Sequence, residues 1–267
     1  MQFALIDNKK TVAISGLNGI CPGCFEPVIA RCGTQRVNHW AHTHNRMCDT
    51  WWEPETEWHR RWKNHFPKEW QEVFLPDDQT GEKHIADIST NQGIIIEFQH
   101  SHIHPQERLS REKFYNNLIW VVDGTRLKRD YPRFLKGTNY FKIIKKGIYQ
   151  VDYPEEYFPS NWLESSVPVI FDFQGNEMLT DINDMRHDMY CIFPIRIGGN
   201  AIIAEIPRSA FINTVLTGEW LSRSNQFLKD LHQVKQERQA LREQEDRLRA
   251  SLNFQRLLGV NQRRRRF

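Results

Sequence analysis

Long apolar runs are missing from this chain: nowhere in its 267 residues do about eighteen consecutive apolar side chains occur, so no membrane-spanning helix and no membrane partner are expected. The opening MQFALIDNKK lacks the basic region, apolar run and small-residue cleavage site of a secretory signal, and the expected location is the cytoplasm. An excess of one charge is missing too. Lys and Arg number 36 against 33 Asp and Glu, a formal charge of +3 that identifies no partner by itself. Apart from the terminal run Arg263 to Arg266 there is no low-complexity segment. What remains is the composition of a globular protein, long enough to bury a proper core as one large domain or two to three small ones.

Charge and cysteine are unevenly placed. Residues 126–146, which include RLKRDYPRFLKG and KIIKKG, interleave basic and aromatic side chains, as nucleic-acid surfaces often do. Four of the five cysteines, Cys21, Cys24, Cys32 and Cys48, fall in the first 50 residues. In a cytosolic chain such clustering points to metal before disulfide. Cys191, between Tyr190 and Ile192, reads as a buried core thiol.

The first 50 residues read as short strands, FALI, TVAISGL and FEPVIARCG, separated by Asn, Gly and Pro turns. From about Pro54 a helix is expected, with Glu55, His59 and Lys63 on one stripe and Trp58 and Trp62 on a neighbouring buried one. Strands EVFLP, HIADIS and GIIIEFQ follow, with the turn PDDQTGE between the first two. PQERLSREKFYNN reads as a helix with Pro105 in its first turn. LIWVVDG reads as a strand buried on both faces. The order over 51–150 is therefore α-β-β-β-α-β, and 1–50 forms a separate small β module. After a basic, aromatic connection, residues 151–215 read as a β-rich accessory region (VPVIFDF, MYCIFPIRI, NAIIAEI), where Asp172, Asp181 and Asp184 read as surface-loop residues. Residues 216–267 read as a long helix. Phe227, Val234, Leu241 and Leu248 recur every seven residues, with Leu231 and Leu252 at the second seam position and Arg238 and Glu245 interrupting it, so docking or a homodimer is expected there.

Two constellations carry chemistry. CPGC lets two thiolates point at one centre, and HWAHTHNRMC supplies the other half. Zinc prefers four tetrahedral sulfur or nitrogen ligands, so Cys21, Cys24, His42 and Cys48 are the chosen set, with His39 the alternative to His42. A thioredoxin-like redox pair would need a βαβ context that is missing. Such a closed zinc site stabilises a module rather than doing chemistry.

The second lies in HIADISTNQGIIIEFQHS. Side chains alternate along a strand, so Ile96 and Phe98 face one way and Ile95, Glu97 and Gln99 the other. A carboxylate on a central strand is costly unless it is paired or binds a cation. Asp87 on the neighbouring strand is the natural second carboxylate, and a hard divalent ion, Mg2+ or Mn2+, would relieve their repulsion and activate water for phosphodiester hydrolysis. Glu55 could add a third oxygen ligand.

Together, CPGC, HWAH, ETEWHRRWK, IADIS, IIIEFQHS and SREKFY followed by LIWVV resemble the competence protein CoiA-like nuclease family, a branch of the PD-(D/E)XK superfamily, from about Cys21 to Gly124. The resemblance implies a restriction-endonuclease-like core in an α/β (α+β) fold with a zinc-ribbon-like N-terminal module. It implies an acidic centre of Glu55, Asp87 and Glu97, with Gln99 in the place of the superfamily's lysine. His59 and Lys63 would face the site, and Arg111, Lys113 and Tyr115 lie on the helix that could contact phosphate. An amide cannot supply positive charge as lysine does, which leaves Lys63, Arg111 and Lys113 as sources.

The expected function is a metal-dependent DNA endonuclease acting on single- or double-stranded DNA in bacterial or phage DNA processing, uptake or defence. Two rivals are a nucleic-acid-binding module that has lost catalysis and a zinc-containing interaction protein that oligomerises through its C-terminal helix.

Overall fold

The computed structural model describes residues 1–44, 48–51, 53–77, 81 and 83–264. The arginine run at 263–266 falls outside the residues whose side chains are described, as does most of the turn PDDQTGE. The N-terminal module consists of β1 (Phe3–Ile6), β2 (Lys9–Val12), β3 (Asn18–Ile20), β4 (Pro27–Arg31) and β5 (His39–His42), an antiparallel sheet in the order β2-β1-β3-β4-β5. Then come α1 (Glu57–Lys63), β6 (Gln71–Pro76), β7 (Lys83–Ser89), β8 (Ile95–Gln99), α2 (Pro105–Phe114) and β9 (Leu118–Asp123), in the expected α-β-β-β-α-β order. The remainder is α3 (Asp130–Thr138), β10 (Lys142–Lys145), β11 (Ile148–Val151), α4 (Ser160–Leu163), β12 (Val169–Asp172), β13 (Asp188–Ile197), β14 (Asn200–Pro207), α5 (Arg208–Leu216) and α6 (Glu219–Arg264).

All nine strands from β6 onward form one sheet, ordered β10-β11-β14-β13-β12-β9-β8-β7-β6. β9 pairs in parallel with both β8 and β12, and every other neighbouring pair in the sheet is antiparallel. Parallel pairing needs a crossover, and α2 supplies it between β8 and β9. The apolar run of β9 requires cover on both edges and both faces, and β12 provides the missing edge. The strands of 151–215 thus extend the sheet of 51–150, and a division at residue 150 falls inside β11. The basic, aromatic connection expected after β9 is ordered instead as α3 and the β10–β11 hairpin, because Phe134 is fully buried and stacks on Phe173 with ring centroids 4.4 Å apart.

Two apolar layers cover the sheet, as alternation requires. On one side Trp58 and Trp62 of α1, Phe211 and Val215 of α5 and Trp220 and Leu231 of α6 pack with Ile96, Phe98, Ile119 and Val121. On the other, Phe134 and Trp162 pack with Ile95, Trp120, Val122 and Phe171. Phe227 joins the first layer, whereas Leu241 and Leu248 of the seven-residue stripe and Leu252 of the second seam are exposed. Cys191 is buried in the same layer, and among the described residues no helix is long and apolar enough to cross a membrane.

Asp172 corrects the surface-loop reading. Its carboxylate is 0% exposed and accepts hydrogen bonds from Trp58 Nε1 and Trp62 Nε1, both at 2.9 Å, and from Arg208 Nη2 at 2.6 Å. It ties α1 and α5 to the end of β12. A turn-former spacing around Asp172 says nothing about partners this far along the chain.

Removing one partner of a buried ion pair leaves the other uncompensated, so Asp172→Ala should lower unfolding free energy by about 3 kcal/mol. Urea denaturation checks this, and a loss under about 1 kcal/mol would show that the network is not holding α1 in place.

Candidate metal-binding acidic pocket

The site begins where two strands part. β7 and β8 share register only at Ile88↔Ile96 and Ser89↔Ile95. Beyond that the ladder is replaced by side chains: Asp87 Oδ2 accepts the Phe98 N–H at 2.9 Å, and Glu97 Oε1 accepts the Asp87 N–H at 3.4 Å. The splay keeps both backbones satisfied while directing two carboxyl groups into one gap.

Helix α1 brings the rest. A capping box between Thr56 and His59 starts it, and the Thr56 N–H donates to His59 Nδ1 at 3.2 Å. The proton of neutral His59 therefore sits on Nε2, which lies 3.0 Å from Phe98 O and 2.8 Å from Glu53 Oε1. One turn on, the buried Lys63 Nζ lies 2.6 Å from Glu55, 3.0 Å from Glu72 and 3.8 Å from Asp87. Glu55 itself precedes the helix rather than lying on it.

The pocket is lined by Asp49, Glu53, Glu55, Glu72, Asp87 and Glu97, six carboxyl groups against the permanent cations Lys63 and Arg111 and the titratable His59. Burial and the neighbouring Asp87 push the Glu97 carboxyl up to about 8, against the pull of Arg111. Asp87 is also raised, by burial, although Lys63 and His59 oppose this. Burial opposes the charge on Lys63, but Glu72, Glu55 and Asp87 together hold it well above the usual lysine range. Glu72 goes the other way: burial alone would raise it, yet Lys63 and the Gln2 N–H help draw it down to about 2. The cavity, about 60 Å³, has room for a few water molecules. Its donors are mainly carboxylate oxygens, and the space is far smaller than a nucleotide.

Of the residues singled out from sequence, Glu55, His59, Lys63, Asp87, Glu97 and Arg111 line this one pocket. Gln99 is buried beside it and donates from Nε2 to Glu53 rather than into the cavity. Arg111 is committed to Glu97 at 2.9 Å and to Glu107 and Trp51 O, both at 2.5 Å, so it neutralises the pocket from behind. Lys113 is exposed on the same helix and does not line the pocket, and Tyr115 is buried against Trp51. Asp49, Glu53 and Glu72 escaped the sequence reading. Glu53 had one signal, its place two residues before Glu55 in EPE. Glu72 and Asp49 had none, since they reach the pocket through long-range contacts.

The N-terminal module holds the second constellation. The ligand atoms of Cys21, Cys24, His42 and Cys48 all lie within 4.8 Å of one another and could hold a metal ion such as zinc. Cys21 and Cys48 Sγ are 3.7 Å apart, and Cys24 Sγ is 3.2 Å from His42 Nε2. Tetrahedral zinc with ordinary bond lengths needs about 3.8 Å and about 3.6 Å respectively. The Cys48 thiol hydrogen bond pulls Cys21 down to about 4 and raises Cys48, so the cluster already favours a thiolate. His39 Nδ1 is instead 2.9 Å from Val37 O.

Because Glu97 is raised above its unfolded value, its contribution to stability is complete below about pH 4.5 and is lost as pH rises through about 8. Without divalent ions, the melting temperature of Glu97→Gln minus that of the unaltered protein should therefore increase between pH 5 and about pH 8 and level off above it. Thermal melts across that range check it, and a difference independent of pH would contradict a raised Glu97.

Residues 9–50 match the model of the family described as Competence protein CoiA, N-terminal domain, the segment that carries three of the four metal-ligand candidates in its strands and turns and Cys48 near its end. No curated protein and no solved structure matches the chain. The match supports a CoiA-like likeness over the segment it covers.

Proposed function

We propose that the protein is a divalent-metal-dependent deoxyribonuclease built on a PD-(D/E)XK-type core, with structural zinc in its N-terminal module. The observation that carries this reading is the pair Asp87 and Glu97 in the gap between splayed strands, with Lys63 Nζ 3.8 Å from Asp87. The α-β-β-β-α-β order around that pair and the family match over residues 9–50 support it.

Asp87 and Glu97 would hold Mg2+ or Mn2+, with Glu55 or Glu53 completing the oxygen set. The bound ion would polarise a phosphoryl oxygen and lower the pKa of a water. Lys63 supplies the positive charge that Gln99 cannot, and it reaches the pocket from α1 instead of from β8. Gln99 holds Glu53, and Glu53 in turn accepts from Ser101 Oγ at 2.7 Å and sits 2.8 Å from His59, which fixes the imidazole at the rim. The cavity is too small for a base, so the strand lies across its mouth and only a phosphate dips toward the carboxylates. Contacts of that kind read backbone, not sequence.

Circular single-stranded and supercoiled double-stranded DNA, incubated with Mg2+, Mn2+ or EDTA, test this. The unaltered protein should cut circles only with divalent metal, and Asp87→Ala and Glu97→Ala should each reduce the rate on the order of 100-fold or more. Uncut circles with the unaltered protein, or equal cutting by the variants, would overturn the reading.

A further inference from the structure

A second cleft opens beside the acidic pocket and has the opposite charge. It lies at the carboxyl ends of the parallel strands β8, β9 and β12, which finish at Gln99, Asp123 and Asp172, where open α/β sheets present their ligand crevices. Its volume is about 240 Å³, and its walls include His100, Ser101, Arg126, Arg129, Arg133 and Asn161. The first residues after β8 and the segment leading into α3 face each other across it.

The charges there are arranged, not merely abundant. Asp123 is 5% exposed and is held by the Thr125 N–H at 2.8 Å and Thr125 Oγ1 at 2.6 Å. Its other oxygen takes His100 Nδ1 at 2.7 Å, which fixes the imidazole in the wall. That hydrogen bond raises the His100 pKa against the effect of burial. Asp130, the other acid in the wall, is paired with Arg133 at 3.3 Å. Both acids are thereby matched, while Arg126 and Arg129 have no carboxylate partner among the described residues. The cleft therefore carries unpaired positive charge in the form of guanidinium forks, the group suited to bidentate phosphate contact.

The two sites share a wall. Glu53 is 2.8 Å from His59 in the acidic pocket and accepts the His100 N–H at 3.2 Å, and the rings of His59 and His100 are 6.1 Å apart. A chain of phosphates crossing the mouth of the acidic pocket would meet the arginine cleft next.

We propose that this cleft is a nucleic-acid phosphodiester subsite, in which Arg126 and Arg129 grip a backbone phosphate flanking the one presented to Asp87 and Glu97. The inference rests on the nuclease reading for its position, and on the cleft's own charge for its ligand. Arg126 and Arg129 set the path of the strand, and His100, anchored by Asp123, shapes the wall between the two sites.

The test is binding, not cleavage. Full-length Asp87→Asn protein, purified without chelator, is titrated against a fluorescent single-stranded oligonucleotide by anisotropy at several salt concentrations. Adding Arg126→Ala and Arg129→Ala should raise Kd on the order of tenfold or more and lower the salt slope by about 1.4, about 0.7 for each lost phosphate contact on a single strand. Adding Lys145→Ala and Lys146→Ala instead, two exposed cations of the β10–β11 hairpin, should cost markedly less. Equal Kd and slope with and without the two arginines would overturn the proposal. So would displacement of the oligonucleotide by micromolar inorganic phosphate, which would mark a site for small phosphates. If the arginine variant binds weakly while the unaltered protein cuts no DNA, the nuclease reading falls and the phosphate subsite stands. Normal cutting with no effect of the arginines on binding gives the reverse.

Discussion

A single buried ammonium organises this protein. Lys63 is 2% exposed and is surrounded by Glu55, Glu72 and Asp87, so each of those carboxylates is tolerated because of it and it is tolerated because of them. The same charge joins the two sheets. Glu72 accepts the Gln2 N–H at 2.7 Å and the Phe3 N–H at 3.1 Å while it binds Lys63, so the start of β1 in the N-terminal module and the lining of the acidic pocket meet at one carboxylate. Glu72 does this from a left-handed backbone conformation with φ of 46°, which costs on the order of 1 kcal/mol in a residue with a side chain. Lys10 Nζ, 2.5 Å from Gln71 O, braces the same start of β6.

Further links make the metal-ligand module part of the larger body. Lys83 Nζ donates to Gly23 O at 2.9 Å, inside CPGC, and the Phe74 ring lies so close to Gly23 that a Cβ there would meet it at 1.9 Å. Met1 packs its sulfur 3.8 Å from Cys21 Sγ and also lines the acidic pocket. The loop that carries Cys21 and Cys24 is thus packed against β6 and β7, so a metal ion held there would brace both. Carboxyl groups are concentrated in one pocket and unpaired guanidinium groups in the adjoining cleft.

Much of the site was legible because its signals are local. The spacing of Glu55, His59 and Lys63, the alternation through Ile95 to Gln99 and the CPGC turn each place side chains without knowledge of the rest of the chain. The four cysteine and histidine residues chosen from spacing are those that the fold gathers. What could not be read depends on contacts between distant segments. Glu72 looks like one more residue of a short edge strand until β1 is laid against it, and Asp172 looks like a loop aspartate until two tryptophans and an arginine converge on it. The union of 151–215 with the central sheet follows from the unsatisfied edge of β9, which periodicity along β12 alone does not reveal. Gln99 was placed on the correct face of β8, but its amide turns to Glu53, a partner 46 residues away.

Six carboxyl groups share one pocket with Lys63 and Arg111, and the proposed function requires a hard divalent ion between Asp87 and Glu97. Anomalous diffraction from crystals soaked in Mn2+ at pH 8 tests it most directly. A manganese peak is expected in the gap between β7 and β8, within coordination distance of both carboxylates, and it should disappear in Glu97→Gln. A gap without manganese at millimolar concentration, with Asp87 and Glu97 well ordered, would contradict it.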